Sequence, residues 1–416
     1  RYIDLSGLAE SDSVYLSFFY QRGGRGDEPE DYDSLLVQFH PDSLWTGFNW
    51  DKNAWVTVWS TLGGENGDFE QAIVGVKGKF QSNFFHDGFQ FRFLAYGNRT
   101  GNIDHWHVDY VYMDKDRNYN DSSYPDLAIY YPTVTILKDF TSMPWGHVRE
   151  DVNSYLVGDL PIYAKNNQAF APQARYYFRV ENAKSGFEYA NTRPLNHVSN
   201  IEAFADTIFR EPLDFSIIPA AADTVKLNII TAVRNRSITE SALFRNNDSC
   251  VFTQVFANYY AYDDGVADAG YGLINAKAGK AALQFALAKA DTLQGVHIYF
   301  NRSEADVSLR RFNLVIWKSI SPRGEISDRD SVIYKVEFLR PQYRDTLNGF
   351  AYFPLDSAFL VSGTIYVGWE QTTDYVLNVG LDNNFRQNVS DSSVVRLHYN
   401  VAGRWQHSDV SGIPMI

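Results

Sequence analysis

The sequence predicts an all-β, multi-domain β-sandwich protein, and three observations carry that prediction. Short apolar segments alternate with polar residues at a period of two and are bounded by Gly, Asp, Asn and Pro. The aromatic content, 27 Tyr, 29 Phe and 9 Trp against 3 Met, suits pleated, half-buried surfaces better than helices. The chain has 416 residues, which at about 150 residues per domain predicts roughly three domains.

The first block, residues 1–122, reads as a jelly-roll sandwich. Its strands are Val14–Tyr20, Leu35–Phe39, Ala54–Trp59, Gly88–Leu94 and His105–Tyr112. Tyr2-Ile3-Asp4-Leu5 already reads as strand material, so the block is expected to lack strands that lie upstream. After Asp114 the composition turns to Asp, Asn, Ser and Pro as far as Pro125, which marks a boundary. The second block, 123–250, holds the alternating runs Ala174–Val180 and Thr224–Val233 and reads as an immunoglobulin-like sandwich. The third, 251–416, reads as another jelly roll, with strands at Val296–Phe300, Phe312–Trp317, Val332–Val336 and Thr364–Trp369. Ala276–Lys289 has helix-forming composition, but Leu283, Phe285 and Leu287 alternate and glycines lie nearby, so it is assigned as strand.

The net charge of -13 argues against nucleic acid, whose phosphates call for a basic footprint. No apolar run is long enough to span a bilayer as a helix. Cys250 is the only cysteine, so neither an internal disulfide nor a Cys-rich zinc site can form. No GxSxG elbow, HExxH, P-loop or dinucleotide fingerprint occurs, and no catalytic residue is assigned.

Four patterns are candidates for binding. His105, His107 and Asp109 project from one face of a strand and could ligate a transition metal if another strand supplied the remaining ligands; in the plainer reading they hydrogen-bond across a polar sheet face. Asp114, Asp116, Asn118 and Asn120 place oxygen ligands at alternate positions of a loop, an arrangement that suits calcium, although Tyr119 and Pro125 stand where an EF-hand needs Gly and Glu. Asp263-Asp264-Gly265 with Asp268 is a weaker version of the same pattern, ordinary for a turn. Trp45, Trp50 and Trp55 would make a platform for sugar rings if exposed. Trp59 is predicted to share a strand face with Trp55, so that one of the two is core. Arg25-Gly26-Asp27 matches an integrin-binding tripeptide, but with Gly23, Gly24 and Pro29 around it a flexible turn is the expected meaning.

Leu16–Gln21, Asp33-Ser34-Leu35, Gly88–Phe93, Gly101–Val111, Thr141–Trp145, Tyr262–Gly265, Leu377–Gly380 and Pro414–Ile416 together resemble a family of large exported Bacteroidota proteins that commonly carry a C-terminal sorting domain for the type IX secretion system. The first block is similar in outline to MAM and laminin-G-like adhesion modules, an analogy of fold alone. The resemblance implies a location on the outer membrane exterior rather than a reaction. An Asp, then Ser or Thr, then an apolar residue recurs nine times and resembles the O-glycosylation acceptor of Bacteroidota; the hydroxyls are Ser13, Ser34, Ser43, Thr207, Thr224, Thr292, Ser331, Thr346 and Ser357. An Asp turn leading into a strand explains the same pattern structurally. The expectation is a non-enzymatic surface protein that binds a protein or glycan partner, as an adhesin or as an accessory subunit of an outer-membrane complex. The alternative is an accessory region of an extracellular glycoside hydrolase or peptidase, with carbohydrate-binding modules.

Overall fold

The computed structural model describes the chain except residues 25, 43–54, 79–82, 99–102, 133–134, 193–196, 215–223, 239–241, 243, 303–305, 347 and 385–394. The fold is almost entirely β, a multi-domain β-sandwich as the alternation predicts. Two compact units are present, one of residues 1–122 and one of residues 123–302 with 306–416.

The first unit contains β1 (Tyr15–Arg22), β2 (Ser34–His40), β3 (Val56–Leu62), β4 (Glu70–Gly75), β5 (Gln90–Tyr96) and β6 (Trp106–Asp114). Among the described residues they form two antiparallel sheets, ordered β4-β1-β6 and β3-β2-β5. Alternation fixes which face is buried: Leu16, Phe18 and Tyr20 of β1 turn toward Leu35, Val37 and Phe39 of β2. Phe18 meets Trp59 and Phe93 of the opposing sheet edge to face, each at 5.0 Å between ring centres, the orientation that aromatic quadrupoles favour.

The second unit begins with β7 (Leu127–Tyr131), β8 (Asp159–Asn166), β9 (Gln173–Asn182), β10 (Glu188–Asn191), β11 (Val198–Asn200), β12 (Asp206–Pro212), β13 (Val225–Asn235) and β14 (Ser249–Phe256). Sheets β12-β8-β7 and β10-β9-β13-β14, with β11 also on β9, bury Leu160, Ile162 and Ala164 with Phe178, Val180, Leu227 and Ile229 in one apolar cluster.

It continues with β15 (Ala269–Tyr271), β16 (Lys280–Ala286), β17 (Asp291–Ile298), β18 (Phe312–Ser319), β19 (Ser331–Leu339), β20 (Ala351–Val361), β21 (Thr364–Gln371), β22 (Val379–Asp382), β23 (Leu397–Asn400), β24 (Trp405–His407) and β25 (Ile413–Pro414). The largest sheet runs β19-β18-β21-β16-β23-β24; β15-β22-β25 and β17-β20 complete this part. The Ala276–Lys289 segment is thus built around a strand, β16, central in its sheet. Gly368 on the neighbouring β21 permits the close approach: a Cβ there would lie 1.9 Å from the Ala281 carbonyl oxygen. The apolar cluster runs without a break from Leu127 to Ile416, so both sandwiches of the second unit share one core.

Candidate functional site

The outward face of β3-β2-β5 carries the first candidate. The register between β2 and β3 slips at Val37/Gln38, so that Val58 is an extra residue on β3. This bulge corrects the prediction that Trp55 and Trp59 share a face. Trp59 turns inward against Phe18 and Tyr20. Trp55 turns outward, with the Arg92 guanidinium 4.4 Å from its ring centre and the His40 ring edge-on at 5.2 Å. Arg92 Nε donates to Gln38 Oε1 (2.8 Å), and Gln38 Nε2 donates to the Thr57 hydroxyl (2.9 Å). An indole face, a guanidinium, an amide and a hydroxyl therefore lie side by side on a rigid sheet. Such a set can stack on a sugar ring and hydrogen-bond its hydroxyls. Trp45 and Trp50 lie outside the described residues.

On β6 the alternation holds at first: Trp106 and Val108 pack on the core while His105 and His107 face outward, with ring centres 6.3 Å apart. They do not assemble a metal site with Asp109. His107 Nε2 bonds the Gly23 carbonyl oxygen (3.1 Å), and Asp109 Oδ1 accepts the Tyr110 amide (2.7 Å). Burial raises the Asp109 pKa. Tyr110, at φ 50°, leaves strand geometry where the β1/β6 register shifts. This bulge turns Tyr110 against Phe19 rather than into the core.

Gly24 and Gly26 lie against these histidines; Arg25 between them lies outside the described residues. Gly23 N donates to the His105 carbonyl oxygen and His105 N donates to the Asp27 carbonyl oxygen, at 2.9 and 3.0 Å. A Cβ on Gly26 would fall 1.7 Å from His105 Nδ1. The glycine of the Arg-Gly-Asp tripeptide is thus a packing residue of the loop. Gly26→Ala should lower stability by about 2 kcal/mol. Most of that loss should disappear in a His105→Ala background, measured by urea unfolding; an equal loss in both backgrounds would contradict the packing role.

Sequence reasoning missed a third group. Glu30, Asp33 and Asp104 offer carboxylate oxygens that all lie within 4.8 Å of one another. Among the described residues, no other group of three or more His, Cys, Asp or Glu side chains could hold a metal in this way. Asp33 is buried and accepts the Glu30 amide (2.9 Å). Asp104 accepts the Asn98 amide on Oδ2 (2.5 Å), while its Oδ1 is fully buried with no hydrogen-bond partner. The hydrogen bond to Asp33 and the field of Asp104 push the Glu30 pKa up. An all-oxygen set of this kind suits a hard cation such as calcium better than zinc. The only sequence signal is the turn composition on either side, because the members lie on loops some 70 residues apart.

The 114–120 loop is organised differently from the predicted calcium loop. Asp114 takes the Tyr112 hydroxyl and the Lys115 amide, and Asn118 Oδ1 takes the Asn120 amide. Asp116 has φ 58° and donates its amide to the Asp12 carbonyl oxygen. The buried guanidinium of Arg117, 2.6 Å from Asp121 and bonded to the Tyr112 carbonyl, supplies the positive charge at the centre of the turn.

In the second unit, Asp263 and Asp382 are both buried. Asp382 accepts the Asp264 and Asn384 amides (2.6 Å each), and Asn384 Nδ2 donates to Asp264 (2.9 Å). Burial first, then neighbouring carboxylates, pushes both pKa values up to about 7.

Of the nine hydroxyls in the Asp-Ser/Thr pattern, Thr224, Thr292, Ser331, Thr346 and Ser357 are exposed, and Ser13, Ser34 and Thr207 are half-buried. Ser43 lies outside the described residues. Several of the preceding aspartates have local partners: Asp12 accepts the Ala9 amide, Asp33 the Glu30 amide and Asp291 the Thr292 amide.

No protein-family model and no curated protein matches the chain. Among solved structures, the chain is similar at 9% identity and a TM-score of 0.17 to the crystal structure of CBD12 from CALX1.2, over 61% of this chain and 77% of that one. A TM-score of that size does not establish a shared fold.

Proposed function

We propose that this chain is a non-enzymatic cell-surface protein, exported by the type IX route to the outer membrane exterior, that binds a glycan through the outward face of β3-β2-β5. The observation that carries the reading is the Trp55–Arg92–Gln38–Thr57 array, an aromatic platform with polar groups held beside it. The guanidinium occupies the indole face in the free protein and is itself exposed, so a ligand can displace it or stack beside it. The likeness to exported Bacteroidota proteins supports the location, and the exposed Asp-Ser/Thr hydroxyls would be open to surface glycosylation. Calcium is the cation the Glu30, Asp33 and Asp104 cluster would take.

A glycan array tests this. Binding to at least one glycan class is expected, weakened about tenfold or more by Trp55→Ala and by Arg92→Ala, with the melting temperature little changed. Absence of binding, or binding equal in both variants, would exclude the face. A second reading, a protein partner in an outer-membrane complex, draws on the edge strand β19, where Val332, Ile333 and Phe338 are exposed. Co-purification with integral outer-membrane proteins, lost when Ile333 is changed to Lys, would favour it.

A further inference from the structure

Lys280, Asn400 and Trp405 stand side by side on β16, β23 and β24, each directly opposite the next in register and so on one face of the sheet. Asp330 bridges the two ends of that row. Its carboxylate accepts Trp405 Nε1 on both oxygens (2.9 and 3.0 Å) and lies 3.8 Å from Lys280 Nζ. The middle residue, Asn400, is therefore flanked by the two groups that hold the carboxylate.

The row is enclosed. Asn400 is 3% exposed and Trp405 1%, and the Asp330 side chain keeps 7% of its surface. Asn400 Nδ2 is fully buried with no hydrogen-bond partner, a state that costs free energy in a region shut off from water. Glu370, opposite Lys280 on β21, is engaged elsewhere, by Lys335 at 3.5 Å and by Asn313 Nδ2 at 3.2 Å. Among the described residues, Asp330 is the one carboxylate paired with Lys280.

Facing residues of an antiparallel pair have Cβ atoms about 5 Å apart, within reach of the flexible lysine stem. An amine, a carboxamide carbon and a carboxylate are thus held together by neighbouring strands. These are the parts of an amide exchange: a nucleophile, an electrophile and a group that moves protons between them.

We propose that Lys280 and Asn400 join through an isopeptide bond, a self-catalysed modification in which Asp330 is the general base and acid. Asp330 takes a proton from the Lys280 ammonium, and Nζ attacks Cγ of Asn400. The Nζ–Cγ bond forms and the Cγ–Nδ2 bond breaks. Nδ2 leaves as ammonium, carrying its own two hydrogens and two from Nζ, while Asp330 ends as it began. No electron is transferred to an outside group. The link closes a loop of about 120 residues and ties β16 to β23, in a chain whose single cysteine precludes an internal disulfide. The assignment is independent of the glycan reading, since these residues lie in the second unit and the Trp55 face in the first.

The test is the mass of the full chain under denaturing conditions, followed by tryptic digestion. Wild type should fall below its sequence mass by about 17 Da, one ammonia, and yield a species in which the Lys280 and Asn400 peptides are joined. Lys280→Arg keeps the positive charge beside Asp330 but removes the amine nucleophile, so it should show the sequence mass and separate peptides. It should also melt about 10 °C lower, as expected for losing a cross-link of this span. Asp330→Asn, shown to be folded by circular dichroism, should leave the peptides separate as well, and gives the same reading should Lys280→Arg fold poorly. Lys335→Arg, which alters the pair with Glu370, should keep the link. The proposal is refuted if wild type has its sequence mass and separate peptides, if the link forms as fully in Asp330→Asn, or if the mass loss persists in Lys280→Arg, as a succinimide at an asparagine would make it do.

Discussion

In the presence of chelator, the second unit should be more stable at about pH 5.5 than at about pH 8, by a few kcal/mol. Asp263 and Asp382 carry pKa values of about 7 in the folded protein, and Asp126 about 6, against 3.8 for an unperturbed carboxylate. The folded state therefore holds protons that the unfolded chain has released. The resulting stabilisation is fully present below about pH 4 and lost as pH rises through the folded pKa values. His398 opposes this. Burial lowers its pKa to about 4, so the unfolded chain binds its proton first and stability falls as pH drops from about 6.5 toward 4. At about pH 5.5 each of the two buried aspartates contributes roughly 2 kcal/mol and His398 withdraws a little over 1, which leaves a net gain. Scanning calorimetry should show a melting temperature higher by roughly 5 °C or more at the lower pH. A melting temperature that is flat, or that rises with pH, would mean that these carboxylates are ionised at little cost.

The sequence pattern revealed the fold class because burial on one face of a strand leaves a period of two, and aromatic residues at the inward positions made that period easy to see. Leu35, Val37 and Phe39 are such a run, and all three are buried. The same rule placed Trp55 and Trp59 together and failed, since a single extra residue on β3 reverses every side chain beyond it. Strict alternation after Trp106 and Val108 would likewise set Tyr110 in the core, and the bulge on β6 moves it out. Bulges leave almost no local mark in composition. The acidic groups were hidden for another reason. Asp33 and Asp104 come from different loops, so their proximity is a property of the sheet topology rather than of any spacing along the chain. Conversely, the visible acidic run at 114–120 resembled a cation loop only because sequence spacing does not show that Arg117 folds inward.

Asp330→Ala should destabilise the second unit by roughly 4 kcal/mol. The side chain is nearly buried, and its Oδ1 accepts three hydrogen bonds: the Ser321 amide at 2.9 Å, the Ser321 hydroxyl at 3.0 Å and Trp405 Nε1 at 2.9 Å. Trp405 closes a small apolar cluster of Ala282, Val315 and Trp317, and meets Trp317 edge to face at 5.7 Å. Truncation leaves an indole N–H, an amide and a hydroxyl without their acceptor, in a region too enclosed for easy rehydration. It also removes the negative partner of Lys280, whose Nζ lies 3.8 Å from Oδ2. Asp330→Asn retains one carbonyl oxygen and should lose about half as much. The neighbouring exposed Ser331 separates this role from glycosylation, because both residues belong to one Asp-Ser-Val tripeptide. Ser331→Ala in unglycosylated protein should change stability by no more than about 0.5 kcal/mol. Equal losses for Asp330→Ala and Ser331→Ala in urea unfolding would show that the carboxylate is not the anchor. A large loss for the aspartate alone would mean that at least this occurrence of the tripeptide is retained by its turn, whether or not its hydroxyl ever carries a sugar.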